Sequence, residues 1–288
     1  MSGKDATINS KEENNMVVQH NLTAMNSNRQ LGVTTAAQAK VTEKLSSGYQ
    51  INRAADDAAG LTISEKMRGQ IRGLTQASDN AQDGVSAVQT AEGALAEVHD
   101  MLQRMNELAV KASNGTNTSA DRKAIQLEVS ALISEIDRVQ QSTQFNTLGL
   151  LSGKFSYDIQ VGAANEAAQR IRISIKAMGA KGLGINGLKV SGKTAAVAQA
   201  AISKITQAIA KVSEQRSKLG AIQNRLEHTI ANLDNIVENT TSAESQIRDT
   251  DMAEAMVNYS KNNILSQAGQ SMLAQANQSN QGVLSLLG

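Results

Sequence analysis

The chain has 288 residues, with 28 basic and 27 acidic side chains and no Cys, Pro or Trp. The near-zero net charge excludes the electrostatic footprint of nonspecific nucleic-acid binding, and the absence of Cys excludes a disulfide scaffold or a thiol nucleophile. Aromatic residues are 2% of the chain, so Ala, Leu, Ile and Val must do the packing, which suits helices touching along seams.

The sequence has neither a basic-then-apolar signal segment nor an apolar run long enough to span a bilayer. A chain of this kind leaves a cell, if it does, by another route. Residues 1–15 are polar and without hydrophobic period, with Ile8 the only bulky apolar residue apart from Met1. They read as a disordered extension or leader. Helical patterning begins at Met16, which looks like a second start.

From Met16 to about Ser47, the residues Leu22, Met25, Leu31, Val33, Ala36, Ala39, Val41 and Leu45 fall at helix-compatible positions. Arg29 is the only charge between Met16 and Ala39, unusual for a surface helix. Ser46-Ser47-Gly48 punctuates the pattern, and Asp56 or Asp57 is placed to cap the next helix.

From Asp57 to Ser113 the sequence predicts one long helix. Met67, Ile71, Leu74, Ser78, Ala81, Val85 and Val88 recur in steps of three and four. The rhythm stumbles near Glu92 and resumes at Leu95, Val98, Leu102, Met105 and Ala109. Such steps mark a coiled-coil seam. At ~1.5 Å per residue the rod would be on the order of 80 Å long. After the turn at Asn114-Gly115-Thr116-Asn117, Thr118 and Asp121 read as a capping box with a short acid. A second helix then places Ile125, Val129, Leu132, Ile133, Ile136 and Val139 on one face.

The period then changes to two. Phe155, Tyr157, Ile159 and Val161, then Ile171, Ile173 and Ile175, predict a β-hairpin with a longish loop. Residues 178–193 are glycine-rich and read as a flexible joint. From Thr194 a strict three-four alternation returns through Ile205, Ile209, Val212, Arg216, Leu219, Gln223, Leu226, Ile230, Leu233 and Val237. This is the partner rod, antiparallel to the first, with Arg216 and Gln223 polar on the seam. The last segment, from Asp249, is again helical, and it carries no charged side chain from Asn262 to Gly288. Two charge-poor ends suggest helices that pair with each other and with copies of themselves.

Gly187 to Thr194 satisfies the phosphate-loop pattern GxxxxGK[ST], and Gly182, Gly184 and Gly187 satisfy GxGxxG. Alternating parallel strands and helices are missing, so the match reads as the joint and not a nucleotide site. Asp56 and Asp57 lack a further ligand at metal spacing. His20, His99 and His228 stand alone. No cofactor, metal or catalytic residue is expected, and the chain does not read as an enzyme.

Several long motifs in order carry a resemblance. They are MVVQHNLTAMNSNRQLG, KLSSGYQINRAADDAAGLTISEKMRGQIRGL, LQRMNELAVKASNGTNTSADR and EIDRVQQSTQFN, and near the end DTDMAEAMVNYSKNNILSQAGQSMLAQANQSNQGVLSLLG. From Met16 onward the chain resembles bacterial flagellin, in a short form without large outer domains. The resemblance implies a subunit that polymerises into the extracellular flagellar filament and serves motility. Its other expected partners are the flagellar export apparatus, a flagellin chaperone, and junction and cap proteins. A hook–filament junction protein is the alternative, and a nucleotide-binding coiled-coil protein a distant third.

The expected fold is mainly α: an elongated antiparallel coiled-coil bundle with one small β-hairpin and terminal helices that pair. Residues 16–56 with 245–288 would form the polymerisation domain, and 57–175 with 194–244 the rod. Residues 176–193 would be the joint where outer domains are inserted. Candidate contacts between copies are Leu22, Met25, Leu31, Ile264, Leu265, Met272, Leu273, Leu284 and Leu287. The resemblance also implies a patch recognised by the innate immune Toll-like receptor 5, at Gln103, Arg104, Leu108 and Glu128. Lys111 stands beside it, where well-known members carry Gln.

Overall fold

Asn21 starts the first helix: its Oδ1 accepts from the Ala24 N–H at 2.9 Å. That helix, α1 (Leu22–Ser47), ends at Gly48, whose φ of 76° suits glycine. The computed structural model describes residues 21–192 and 195–287. The expectations for residues 1–15, Met16, His20, Lys193 and Thr194 lie outside the described residues.

After the connection, Asp57 Oδ1 accepts from the N–H groups of Ala59 and Gly60, both at 3.0 Å. It caps α2 (Ala58–Ser113). Its neighbour Asp56 does a separate job. It accepts from the Asn52 and Arg53 N–H groups and pairs with Lys40 at 2.9 Å. The capping box is present at the start of α3 (Ser119–Ser142), with Thr118 and Asp121 each bonding the other's backbone N–H.

Two antiparallel ladders come next in the chain. The predicted hairpin is β3 (Ser156–Gln160) with β4 (Arg170–Ser174). A shorter ladder precedes it, β1 (Gln144–Phe145) with β2 (Leu148–Gly149), turning through Asn146 and Thr147 at positive φ. Then come a single helical turn, α4 (Ala180–Leu183), and the long helices α5 (Ala195–Arg248) and α6 (Met252–Leu287).

Among the described residues the chain forms two units. One runs up to Ser64 and resumes at Glu244; the other is Glu65–Ala243. In the second unit α2 and α5 run antiparallel. Ser78 bonds Asp234, Glu92 bonds Arg216, and Leu226 lies beside Gly84. The core is the predicted seam of α2, buried from Ala81 to Ala112, joined by Ile125, Val129 and Ile136 of α3 and the inner face of the hairpin.

The gap near Glu92 is filled by Ala91, which is fully buried. The seam therefore does not break. It takes two consecutive steps of three, Val85 to Val88 to Ala91, a three-residue insertion that locally overwinds a coiled coil. On α5 the period holds at Ile205, Val212, Leu219, Leu226 and Leu233. The polar seam residue differs from expectation: Gln215 is the buried one, donating to the Ser174 carbonyl at 3.1 Å. Arg216 and Gln223 flank the stripe.

The glycine-rich stretch is not a flexible joint. Met178, Ala180, Leu183, Ile185, Leu188 and Val190 are all buried in the same core. Their flanks are pinned: Ala180 N–H donates to Asp137 at 2.8 Å, and Lys211 donates to the Leu183 carbonyl at 3.2 Å. Glycine serves close packing here, since a Cβ on Gly182 would strike the Ala177 carbonyl.

Candidate functional site

In the terminal unit α1 and α6 pair antiparallel. Asn21 Nδ2 donates to the Ala276 carbonyl at 2.9 Å. Gly269 faces Leu31, and Tyr49 bridges to Asp249 at the other end. Gln50 N–H to Arg248 O at 2.7 Å and Thr250 N–H to Gly48 O at 2.9 Å close the pair. The guanidinium of Arg248 stacks 4.7 Å over the Tyr49 ring.

The composition of this seam departs from what hydrophobic patterning predicts. On α6 the residues turned inward are Ala255, Tyr259, Asn262, Ser266, Gly269, Leu273 and Ala276, again in steps of three and four. Most are small, so the two backbones approach closely. Several large apolar residues face the other way. Leu22 is 66% exposed, Met25 63%, Ile264 66%, Leu265 47% and Met272 62%. Five of the candidate contact residues therefore lie on the outer face.

Leu31 and Leu273 do not. Both are half-buried on the seam and serve pairing within the chain. The side chains of Leu284 and Leu287 lie outside the described residues. Val33, Met252, Met256 and Val257 are also outward and exposed, and sequence reasoning misses them as contact residues. Only the pairing geometry separates the two faces, because apolar residues occur on both.

The second candidate surface is on α2 and α3. Arg104 Nε and Nη2 both donate to Glu128 Oε1, at 3.1 and 3.0 Å, and Nη1 donates to Glu107 Oε2 at 3.1 Å. Glu128 first, then Glu107, hold the Arg104 guanidinium above its ordinary pKa range. Gln103 sits on the same exposed turn, 2.8 Å from His99 Nε2. Lys111 is exposed in the last turn of α2, where a cation suits the helix dipole. Leu108 does not belong to this surface: it is 3% exposed and sits in the core beneath it.

Among the described residues of the phosphate-loop match, backbone groups are already engaged within the chain. The N–H groups of Val190 and Ser191 both donate to Gln126 Oε1, at 2.6 and 3.2 Å. The Gly192 carbonyl accepts from Arg122 at 3.1 Å. Among the described residues, no strand leads into it, and no group of three or more His, Cys, Asp or Glu is placed to hold a metal ion. Nor is any described helix long and apolar enough to cross a membrane.

Comparisons with known proteins bear on what such surfaces serve. The bacterial flagellin N-terminal helical region matches residues 18–156, and the bacterial flagellin C-terminal helical region matches residues 202–287. The chain is 52% identical to a flagellin of Halalkalibacterium halodurans and 50% identical to a flagellin of Bacillus subtilis. Each alignment covers 94% of this chain and all of the relative. A solved flagellar hook-associated protein of Vibrio parahaemolyticus shares the fold alone, with a TM-score of 0.59 at 14% identity over 67% of this chain and all of that one. With both helical ends matched and half of its residues shared with these relatives, the chain belongs to the bacterial flagellin family.

Proposed function

We infer that this chain is a structural subunit, not an enzyme, that polymerises into the extracellular flagellar filament and serves motility. The outer face of the α1–α6 pair carries contacts between copies in this reading. One observation supports it most: Leu22, Met25, Ile264, Leu265 and Met272 face out of the pair, each about half exposed or more. A folded chain gains nothing from leaving such side chains in water, whereas copies packed against them recover the burial. The absence of charged side chains from Asn262 onward fits the same use, because an unpaired charge buried between copies would be costly. The terminal unit is then the polymerisation domain, and Glu65–Ala243 the rod.

Ile264→Lys tests this directly. Monomer helicity by circular dichroism should stay unchanged, since the side chain is 66% exposed in the single chain, while growth on filament seeds should stop. Normal filaments from this variant would remove the outer face from the assembly model. Long filaments from the unaltered protein also separate this reading from a hook–filament junction protein, which forms a short adaptor. We propose the export apparatus, a chaperone, and the junction and cap proteins as further partners, from the family resemblance alone.

A second reading concerns Toll-like receptor 5. It is favoured by Arg104, exposed yet fixed by two carboxylates, since a preorganised Arg loses little freedom on binding. Gln103, Arg104, Lys111 and Glu128 form the proposed contact set, with Leu108 a support beneath it. Surface plasmon resonance on Arg104→Ala tests the set; unchanged binding would reject it.

A further inference from the structure

We propose that Met25, Met252, Met256 and Met272 are a peroxide-sensitive modification site, and that their sulfoxides keep a free chain from joining a filament. The proposal rests on the assembly reading above. Among the described residues the methionines divide by unit. The four described in the terminal unit are exposed, at 63, 49, 52 and 62%. Those of Glu65–Ala243 are not: Met105 and Met178 are buried at 0 and 3%, and Met67 and Met101 are half-buried. Thioethers are thus offered to solvent on the paired terminal helices and withheld in the rod.

The chemistry is selective because the chain has no Cys and no Trp. A hydroperoxide then finds the exposed thioether sulfur as its readiest target. The sulfur lone pair attacks the distal peroxide oxygen. With hydrogen peroxide, one S–O bond forms as the O–O bond breaks, sulfur loses two electrons, and the departing hydroxide leaves as water by taking up the proton that the transferred oxygen sheds. The product is a polar, chiral group in place of a flexible apolar one. On an outer face whose other large side chains include Leu22, Ile264 and Leu265, it would have to be buried against a neighbouring copy. Burial of a polar group without a partner is unfavourable. In a grown filament the same sulfurs are covered, so the free chain is the vulnerable state.

The test treats monomer and filament with hydrogen peroxide, maps sulfoxides by peptide mass spectrometry, and follows growth on seeds by electron microscopy. Sulfoxides should form first at these four positions in monomer, and growth should fall at least about tenfold. Methionine sulfoxide reductases of both epimer classes, with a dithiol, should restore it. A variant carrying Met25→Leu, Met252→Leu, Met256→Leu and Met272→Leu should grow at one rate with and without peroxide, whatever that rate is, because it lacks the four exposed thioethers. The proposal is overturned if fully oxidised monomer grows at the untreated rate. It is equally overturned if the Leu variant loses growth to peroxide as the unaltered chain does, or if reduction of the sulfoxides restores nothing. Untreated chain that never extends seeds would instead overturn the assembly reading.

Discussion

Arg216 Nη2 donates to Glu92 Oε1 at 2.9 Å across the antiparallel pair α2 and α5. The bond sits beside Ala91, where the α2 seam takes its two consecutive steps of three. The ion pair is therefore at the point where a strict heptad fails, and Arg216 Nε is buried there without a partner. Both side chains keep solvent access, 33 and 43%, so the pair contributes little net stability. Arg216→Met should leave urea stability within about 1 kcal/mol, or raise it, because an apolar side chain fits the stripe. Glu92→Ala should cost about 1 kcal/mol by stranding a half-buried guanidinium. A loss of several kcal/mol in Arg216→Met would mean that the pair holds the rods together.

Leu108 and Arg104 are one turn apart and should behave in opposite ways. Leu108→Ala opens a cavity in a packed core and should destabilise by about 2–5 kcal/mol. Any weaker receptor binding would then come from lost structure. Arg104→Ala should leave the melting curve in place and change only binding. Thermal melts run beside surface plasmon resonance distinguish the two. A stable Leu108→Ala chain with weak binding would return Leu108 to the contact set.

Acid should destabilise both units. Hydrogen bonds from Lys40, then from the Arg53 N–H, hold Asp56 below the usual carboxylate range. The Thr118 hydroxyl and N–H do the same for Asp121. For such groups the unfolded chain, near its ordinary pKa of about 3.9, takes up protons before the folded one. Their stabilisation is complete above that value and is lost as pH falls through the lowered folded pKa. Melting temperature should hold from neutral pH to about 5 and drop below about 4. The drop should be smaller in a chain carrying Asp56→Asn and Asp121→Asn. An equal drop in that variant would assign acid sensitivity to other carboxylates.

The rod is legible in the sequence because its large residues do what periodicity assumes. Leu95, Leu102 and Leu226 are apolar and buried, and steps of three and four reveal them. The capping roles of Asp57 and Thr118 are legible because the interactions are local. The terminal pair inverts the rule. Its seam mixes Ala, Ser, Asn and Gly with Leu31, Tyr259 and Leu273, while Leu22, Met25, Ile264, Leu265 and Met272 face outward. Periodicity locates those helices without telling inside from outside. The β1–β2 ladder escapes it because each strand has two residues and Asn146-Thr147 is not a standard hairpin dipeptide. The stretch from Met178 to Gly192 reads as loose because glycine signals freedom in a sequence and here serves close packing. Its apolar residues alternate with glycine and polar positions, and the core that holds them lies on helices distant in sequence.

The packing of that stretch leads to the last prediction, which concerns Gln126. Its side chain stands in for a strand. Oε1 accepts from the Val190 and Ser191 N–H groups, and Nε2 donates to the Leu188 carbonyl at 3.0 Å. Three backbone groups thereby find partners in a segment with no ladder of its own. Gln126→Ala would leave them to water or unpaired, at about 1–3 kcal/mol for each group that stays buried. Local opening should come first, since Leu188 and Val190 still have an apolar core to hold them. The amides of Val190 and Ser191 should then exchange with deuterium much faster than in the unaltered chain, while those in the middle of α2 do not change. Freed N–H groups also give the phosphate-loop match its only chance. Calorimetry with magnesium-ATP on Gln126→Ala should show no binding, because the segment still lacks a leading strand. Saturable heat would mean that Gln126 had been masking a phosphate cradle, and unchanged exchange at Val190 would mean that its hydrogen bonds do not hold the segment.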